Sequence, residues 1–190
     1  MEAAFELAGP IETERMMLRP FDEDDRGAVL AMQSSPEVAR YLYWGPRTEA
    51  EARDVLRKKV AACAIHADGD PLSLAGILKT TGEIVADVVL QLVSREHRIG
   101  EIGYIIPPEH QGHGYATEAT APLLRIAFED LGLHRVVGRV EARNVGSACV
   151  LEKLGMRREA HLVENEWVKG EWQSELVYAM LDREWREAEV

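Results

Sequence analysis

The stretch Ile99-Gly100-Glu101-Ile102-Gly103-Tyr104-Ile105-Ile106-Pro107-Pro108-Glu109-His110-Gln111-Gly112-His113-Gly114-Tyr115-Ala116 decides the fold. It opens as a strand, Ile99 to Ile106, which Pro107-Pro108 stops because a proline has no N–H for the ladder. Residues 113 to 131 then read as a helix, with Ala116, Ala119, Leu123, Leu124, Ala127, Phe128 and Leu131 returning on one face. A further strand follows from Arg135 to Val140. Strand, helix and strand in that order predict a parallel crossover.

Upstream, Leu72 to Leu78 and Glu83 to Val93 are strands around a Thr80-Thr81-Gly82 turn, and Ser94 to Arg98 turns into Ile99. The crossover therefore sits in an otherwise antiparallel meander. Earlier still, Arg15 to Arg19 is a strand closed by Pro20. Asp22 and Asp25 open a short helix that carries Val29, Leu30 and Met32 inward. After the aromatic loop Tyr41-Leu42-Tyr43-Trp44-Gly45-Pro46, Thr48 and Glu51 form a capping box. That second helix carries Ala52, Val55, Leu56, Val60, Cys63 and Ala64 and is expected to end at Asp68-Gly69-Asp70. Downstream, a helix from Ser147 to Leu154 stops at Gly155, two strands flank Lys169-Gly170, and a polar tail follows Leu181. The order β-α-α-β-β-β-α-β-α-β-β predicts an α+β layered domain with helices over a mostly antiparallel sheet. No repeat, low-complexity tract or linker interrupts it, so residues 1–190 read as one domain with its core at about Thr13 to Leu181.

The formal net charge of -11 argues against nucleic acid, which requires clustered Lys and Arg. The same charge would attract a cationic acceptor. Cys63 and Cys149 are far apart and form no metal or redox spacing, which predicts two buried thiols in a reducing compartment. No apolar run approaches a membrane span, and MEAAFELAGP lacks the order of a signal peptide, so a cytoplasmic protein with no membrane partner is expected.

Gln111-Gly112-His113-Gly114-Tyr115-Ala116 lies directly between strand and helix. Glycines let the backbone approach a ligand closely, and the helix start offers unpaired N–H groups at its positive end. Together they suit a pyrophosphate. The glycine pair alone would fit an ordinary turn equally well. A P-loop is excluded for want of its Gly-Lys-Ser/Thr run, and no third glycine follows Gly112 and Gly114 to complete a dinucleotide-binding fingerprint.

The run from Gly100 to Gly155-Met156 resembles the core of the GNAT superfamily of N-acetyltransferases, whose acetyl-CoA signature Arg/Gln-x-x-Gly-x-Gly/Ala is matched by Gln111, Gly114 and Ala116. Glu12-Thr13-Glu14-Arg15 with Leu18-Arg19-Pro20, Asn144-Val145-Gly146-Ser147, Leu151-Glu152-Lys153-Leu154-Gly155-Met156 and Lys169-Gly170-Glu171-Trp172 are similar to its RimJ/RimL-like branch, which contains the acetyltransferases of ribosomal-protein N-termini. The resemblance implies the GNAT fold: a mixed six- to seven-stranded sheet with helices on both faces and a V-shaped splay between two parallel central strands. It implies acetyl-CoA as co-substrate, with pantetheine against the edge at Ile105-Ile106. Backbone amides of His113, Gly114, Tyr115 and Ala116 would hold the pyrophosphate, Gln111 and Gly112 would complete the cofactor-binding loop, and Asn144 and Ser147 would lie near the pantetheine arm. An N–H at a strand bulge around Ile106 would polarise the thioester carbonyl.

Acetyl transfer to a primary amine also needs a base and a proton for the leaving thiolate. The superfamily's usual tyrosine is replaced by Leu151, which leaves Ser147 as the hydroxyl available as acid, or merely as a helix N-cap. Glu166, beside Trp167, matches a branch glutamate and is the first candidate for the base; Glu101, on the slot strand, is the second. Tyr41, Tyr43 and Trp44 wall an acceptor pocket or pack beneath the first helices. His110 and His113 belong to no metal-ligand cluster and are expected to face solvent, so no metal is expected. The expected acceptor is a protein or peptide N-terminus. A small amine (amino acid, polyamine or antibiotic) and a non-catalytic acyl-CoA-binding module are the alternatives, and exposed aromatics also fit a homodimer face.

Overall fold

A computed structural model describes residues 5–188. In chain order the strands and helices are β1 (Phe5–Glu6), β2 (Ile11–Glu12), β3 (Met16–Pro20), α1 (Arg26–Ser34), α2 (Pro36–Ala39), α3 (Glu49–Ala61), β4 (Ala64–Ile65), β5 (Pro71–Leu78), β6 (Ile84–Ser94), β7 (Ile99–Ile105), α4 (Tyr115–Arg125), β8 (Arg135–Glu141), α5 (Val145–Lys153), β9 (Arg157–Val168), β10 (Glu171–Leu181) and α6 (Asp182–Ala188). One sheet runs in the order β2-β3-β5-β6-β7-β8-β10-β9; β1 and β4 form a separate pair. The large sheet has eight strands because the two residues of β2, too short to leave a periodic signal, add an edge to β3.

All neighbours in the large sheet are antiparallel except β7 and β8. This parallel pair is held only from Ile99↔Arg135 to Ile102↔Gly138. Beyond it, β7 stays with β6 to Asp87↔Ile105 and β8 stays with β10 to Glu141↔Glu175, so the two strands part. Tyr104 and Leu151 explain the parting. The Tyr104 hydroxyl donates to the Ser147 carbonyl at 2.7 Å, and Leu151 of α5 packs directly over Gly138.

Helices cover both faces of the sheet. On one side Val29 of α1 and Leu56 of α3 pack with Phe21 and Ala75. On the other, Leu123, Leu124 and Leu151 join Leu90, Val136, Leu176 and Tyr178 in the main core. Burying side chains of this size contributes about 1.5–3 kcal/mol each. Residues Ile126–Asp130 continue α4 with a wider π turn, closed by Leu131 N–H to Ile126 O at 2.9 Å. No helix among the described residues is long and apolar enough to cross a membrane.

Several expectations are corrected. The second helix ends at Ala61 rather than at Asp68-Gly69-Asp70, and Ala64 belongs to β4. Cys63 and Cys149 are both exposed free thiols: Cys63 lies past the true helix end, where the helical register no longer applies, and Cys149 sits on the outer side of α5. Leu30 is only half-buried, whereas Gln33 is buried and bonds Arg47. The helix expected from residue 113 begins at Tyr115, because Gly114 (φ 81°) is left-handed and cannot join it. Lys169-Gly170 (φ 51° and 87°) forms a two-residue hairpin turn with both central φ positive. The tail after Leu181, read as frayed or helical, takes the helical alternative and forms α6, with Trp185 stacked on Phe128 at 5.8 Å.

The capping box of α3 is formed as expected: the Thr48 hydroxyl accepts from Glu51 N–H and the Glu51 carboxylate accepts from Thr48 N–H at 2.8 Å. Thr48→Ala should cost about 1 kcal/mol. Thermal unfolding would measure the loss, and an unchanged midpoint would contradict it.

Candidate active site

Two cavities meet where β7 and β8 separate. The first follows the glycine loop and is lined by Ile105, Ile106, Gln111, Gly112, Gly114, Tyr115, Ala116, Asn144 and Ser147. The second passes through the splay and reaches Tyr43, Asp87, Arg139, Glu166, Gln173 and Glu175. Tyr41, Tyr104, Ile105, Asn144 and Ser147 line both.

The glycine loop suits an anion. Gly112 (φ 79°) and Gly114 (φ 81°) are both left-handed, and a Cβ at Gly112 would meet nothing within 4 Å. The first intrahelical bond of α4 is Glu118 N–H to Gly114 O at 3.1 Å. The amides of Tyr115, Ala116 and Thr117 thus precede it, and Gly114 offers no side-chain cap. Gln111 braces the loop by donating its Nε2 to Ile106 O at 3.0 Å. His113 does not line the cavity; its ring is exposed and stacks on Tyr115 at 5.5 Å, while His110 is half-buried.

At the head of α5 the N-cap is Asn144, whose Oδ1 accepts from Ser147 N–H at 3.1 Å. Ser147 is therefore not the cap, and α5 begins at Val145. Leu151 lines the splay cavity at the position expected to lack the tyrosine. Tyr104 brings a hydroxyl into the same space from β7, and burial pushes that phenol well above its usual range. The expected bulge around Ile106 is not in the β6–β7 ladder, which stays regular to Ile105; its one irregularity lies between Leu92 and Ser94.

Carboxylates dominate the far wall. Glu175 is buried, accepts from Arg139 Nη1 at 2.9 Å and from the Tyr43 hydroxyl at 2.9 Å. Although 62% of Tyr43 is exposed, burial of its hydroxyl and the Glu175 charge keep it protonated. Asp87, also buried, pairs with Lys59 at 2.7 Å. Glu166 is half-buried and lines the same cavity from β9, paired across the strands with Gln173. Strand alternation separates it from Trp167, which is 62% exposed and meets Trp172 edge-on at 5.4 Å. Trp44 lies outside both cavities, with Arg47 over its ring at 4.1 Å.

Glu101 does not line either cavity; it sits 3.4 Å from Arg139. Burial raises its carboxyl above the ordinary 4.5, with Arg139 opposing. A carboxyl raised in the fold contributes stability that is complete below its unfolded value and lost as pH rises through the folded one. Glu101→Gln should therefore raise the melting temperature at pH 7 and leave it unchanged near pH 4. A fall at pH 7 would instead make the Arg139 contact the stronger effect.

Sequence reasoning did not identify Tyr104, Arg139, Gln173, Glu175, Asp87 or Lys59. A signal existed for some of them. Asp87 interrupts the apolar run Ile84 to Leu90, and Gln173 and Glu175 sit two apart in a strand whose later residues are apolar.

The acetyltransferase (GNAT) domain family matches residues 15–157. The chain is 31% identical to the uncharacterized N-acetyltransferase YnaD of Bacillus subtilis, covering 92% of this chain and 98% of that protein. An acetyltransferase (GNAT family) structure from Bacillus anthracis superposes with a TM-score of 0.81 at 30% identity, covering 92% of this chain and 99% of that one. Among the relatives whose names mention an acceptor, two are each 27% identical. The putative ribosomal N-acetyltransferase YdaF of Bacillus subtilis aligns over 89% of this chain and 91% of its own length. The spermidine N(1)-acetyltransferase of Escherichia coli aligns over 83% and 81%.

Proposed function

Because the chain belongs to the acetyltransferase (GNAT) domain family and is an N-acetyltransferase that uses acetyl-CoA, we propose that its acceptor is the N-terminal α-amine of a protein or peptide. The RimJ/RimL-like motifs and the 27% identity to YdaF support that branch. In this reading residues 1–190 act as one acetyltransferase domain. The observation that carries the proposal is the junction of the two cavities at Tyr104, Ile105, Asn144 and Ser147, with Tyr43 and Glu166 on the wall of the second.

The residues present fit acetyl-CoA. Left-handed glycines and the uncapped amides of α4 suit its pyrophosphate, and the free edge beyond Ile102 suits an extended arm. When bound, acetyl-CoA supplies a thioester whose carbonyl carbon is open to amine attack. Ile105 and Ile106 border the arm, Gln111 to Ala116 receive the phosphates, and Asn144 holds the head of α5. Glu166 takes the proton of the incoming amine through water. Ser147 is the hydroxyl for the departing sulfur, and Tyr41 and Tyr43 flank the acceptor. A terminal amine, with a pKa of ~8, needs far less help from such a base than a lysine at ~10.4.

A second reading has its own support. Asp87, Glu141, Glu166 and Glu175 line the splay cavity against Lys59 and Arg139, an excess of negative charge that suits a polyamine. Thiol release from acetyl-CoA would be measured on Ser- and Ala-initiated peptides and on spermidine. Higher kcat/KM on the peptides is expected; preference for spermidine would move the acceptor to the small-amine class.

A further inference from the structure

The glycine loop is tied to a segment about a hundred residues away in sequence. The Arg15 backbone N–H donates to Glu118 Oε1 at 2.7 Å, and Arg15 Nε donates to Glu118 Oε2 at 2.7 Å. The Thr13 hydroxyl also donates to Glu118 Oε1, at 2.6 Å. Arg15 Nη1 then reaches the loop itself and donates to the His113 carbonyl at 2.9 Å. Its guanidinium carbon lies 4.7 Å from the centroid of Tyr115, the ring that stacks on His113.

Two physical consequences follow. In a planar trans peptide the C=O and the following N–H point in opposite directions. Holding the His113 carbonyl on Arg15 therefore aims the Gly114 N–H away from Arg15. Secondly, Glu118 lies in the first turn of α4, where a bare carboxylate would oppose a second anion. Burial pushes that carboxyl up, but the Thr13 hydroxyl and the Arg15 amide and guanidinium outweigh burial and keep it ionised. Arg15 neutralises it one helical turn from the loop that would receive the phosphates.

We propose that Arg15 is a positioning residue for acetyl-CoA: through Glu118 and the His113 carbonyl it sets the direction of the loop amides and cancels a charge that would repel the pyrophosphate. The inference rests on the reading that Gln111 to Ala116 receive that group.

The test measures the Kd of CoA by calorimetry alongside KM and kcat with acetyl-CoA. Arg15→Ala should raise Kd and the acetyl-CoA KM about tenfold, as expected for loss of charge-assisted bonds beside an anion, with kcat at saturation within about twofold. Adding Glu118→Gln to Arg15→Ala should recover part of the loss, because it removes the uncompensated carboxylate; a merely structural pair would show no such recovery. Arg15→Lys, a milder change that guards against misfolding, should still weaken CoA severalfold, because a lysine cannot span both partners. Wild-type affinity in both Arg15 variants, or a kcat loss at constant KM, overturns the proposal. Gly114→Val separates the two levels. If it abolishes CoA binding while the Arg15 variants keep it, only the role of Arg15 fails. If it binds CoA like the wild type, the loop assignment fails as well.

Discussion

Glu166→Gln is expected to lower kcat/KM on the preferred amine by about 10²–10⁴-fold at pH 7, the usual worth of a positioned general base. Of the carboxylates lining the splay cavity, Glu166 has no salt-bridge partner among the described residues, whereas Glu175 is held by Arg139, Asp87 by Lys59 and Glu141 by Arg143. A carboxylate held by a cation is a weaker proton acceptor, because the neighbouring positive charge favours its ionised form. Glu101, the other candidate, lies outside the cavity behind Arg139 and should show a much smaller effect on rate when changed to Gln. The deficit of Glu166→Gln should also narrow as pH approaches 9. More of the amine is then neutral without help. A deficit that stays constant with pH would mean that Glu166 binds the acceptor rather than deprotonating it. Retention of wild-type rate would return the base assignment to Glu101.

Gly138→Val should disable the enzyme by a different route. Gly138 forms the last β7–β8 pair, at the vertex of the splay. A Cβ there would come within 2.8 Å of Leu151 Cδ2 and 3.0 Å of Cδ1. Leu151 is 1% exposed and can yield only toward the cavity it lines. Overpacking of this kind costs about 1–3 kcal/mol. Leu151 would be driven into the cavity where the acyl arm is proposed to lie, so the acetyl-CoA KM should rise at least about tenfold, an energy of ~1.4 kcal/mol. Combining Gly138→Val with Leu151→Ala should restore part of both losses, since the smaller side chain vacates the contested space. Failure of the double variant to recover either quantity would place the damage in the strand backbone instead.

The two predictions draw on different kinds of information. Glu166 was legible in the sequence through a family motif, and the structure places it on the wall of the splay cavity. The importance of Gly138 was not legible, because a glycine inside a strand has several ordinary explanations. Ser147 shows the intermediate case. The motif pointed to the correct turn of helix, but the N-cap is Asn144 and only the hydrogen-bond geometry separates the two. The cysteines show the limit of periodicity, which was extended past Ala61 and so placed Cys63 on a buried face that had already ended.

Local patterning determined most of the elements. The apolar runs of β5 and β6, the apolar face of α4, the Thr48–Glu51 box and the Lys169-Gly170 turn all depend on residues within a few positions of one another, so the sequence carries them directly. It also determined the family, because its ordered motifs span nearly the chain. Tertiary structure alone decided which distant groups meet: Arg15 with Glu118, Tyr43 with Glu175, Lys59 with Asp87, and Tyr104 with the head of α5. Such contacts follow from strand order and register across the sheet. A shift of one residue would send each side chain to the opposite face, and no local pattern encodes that global choice.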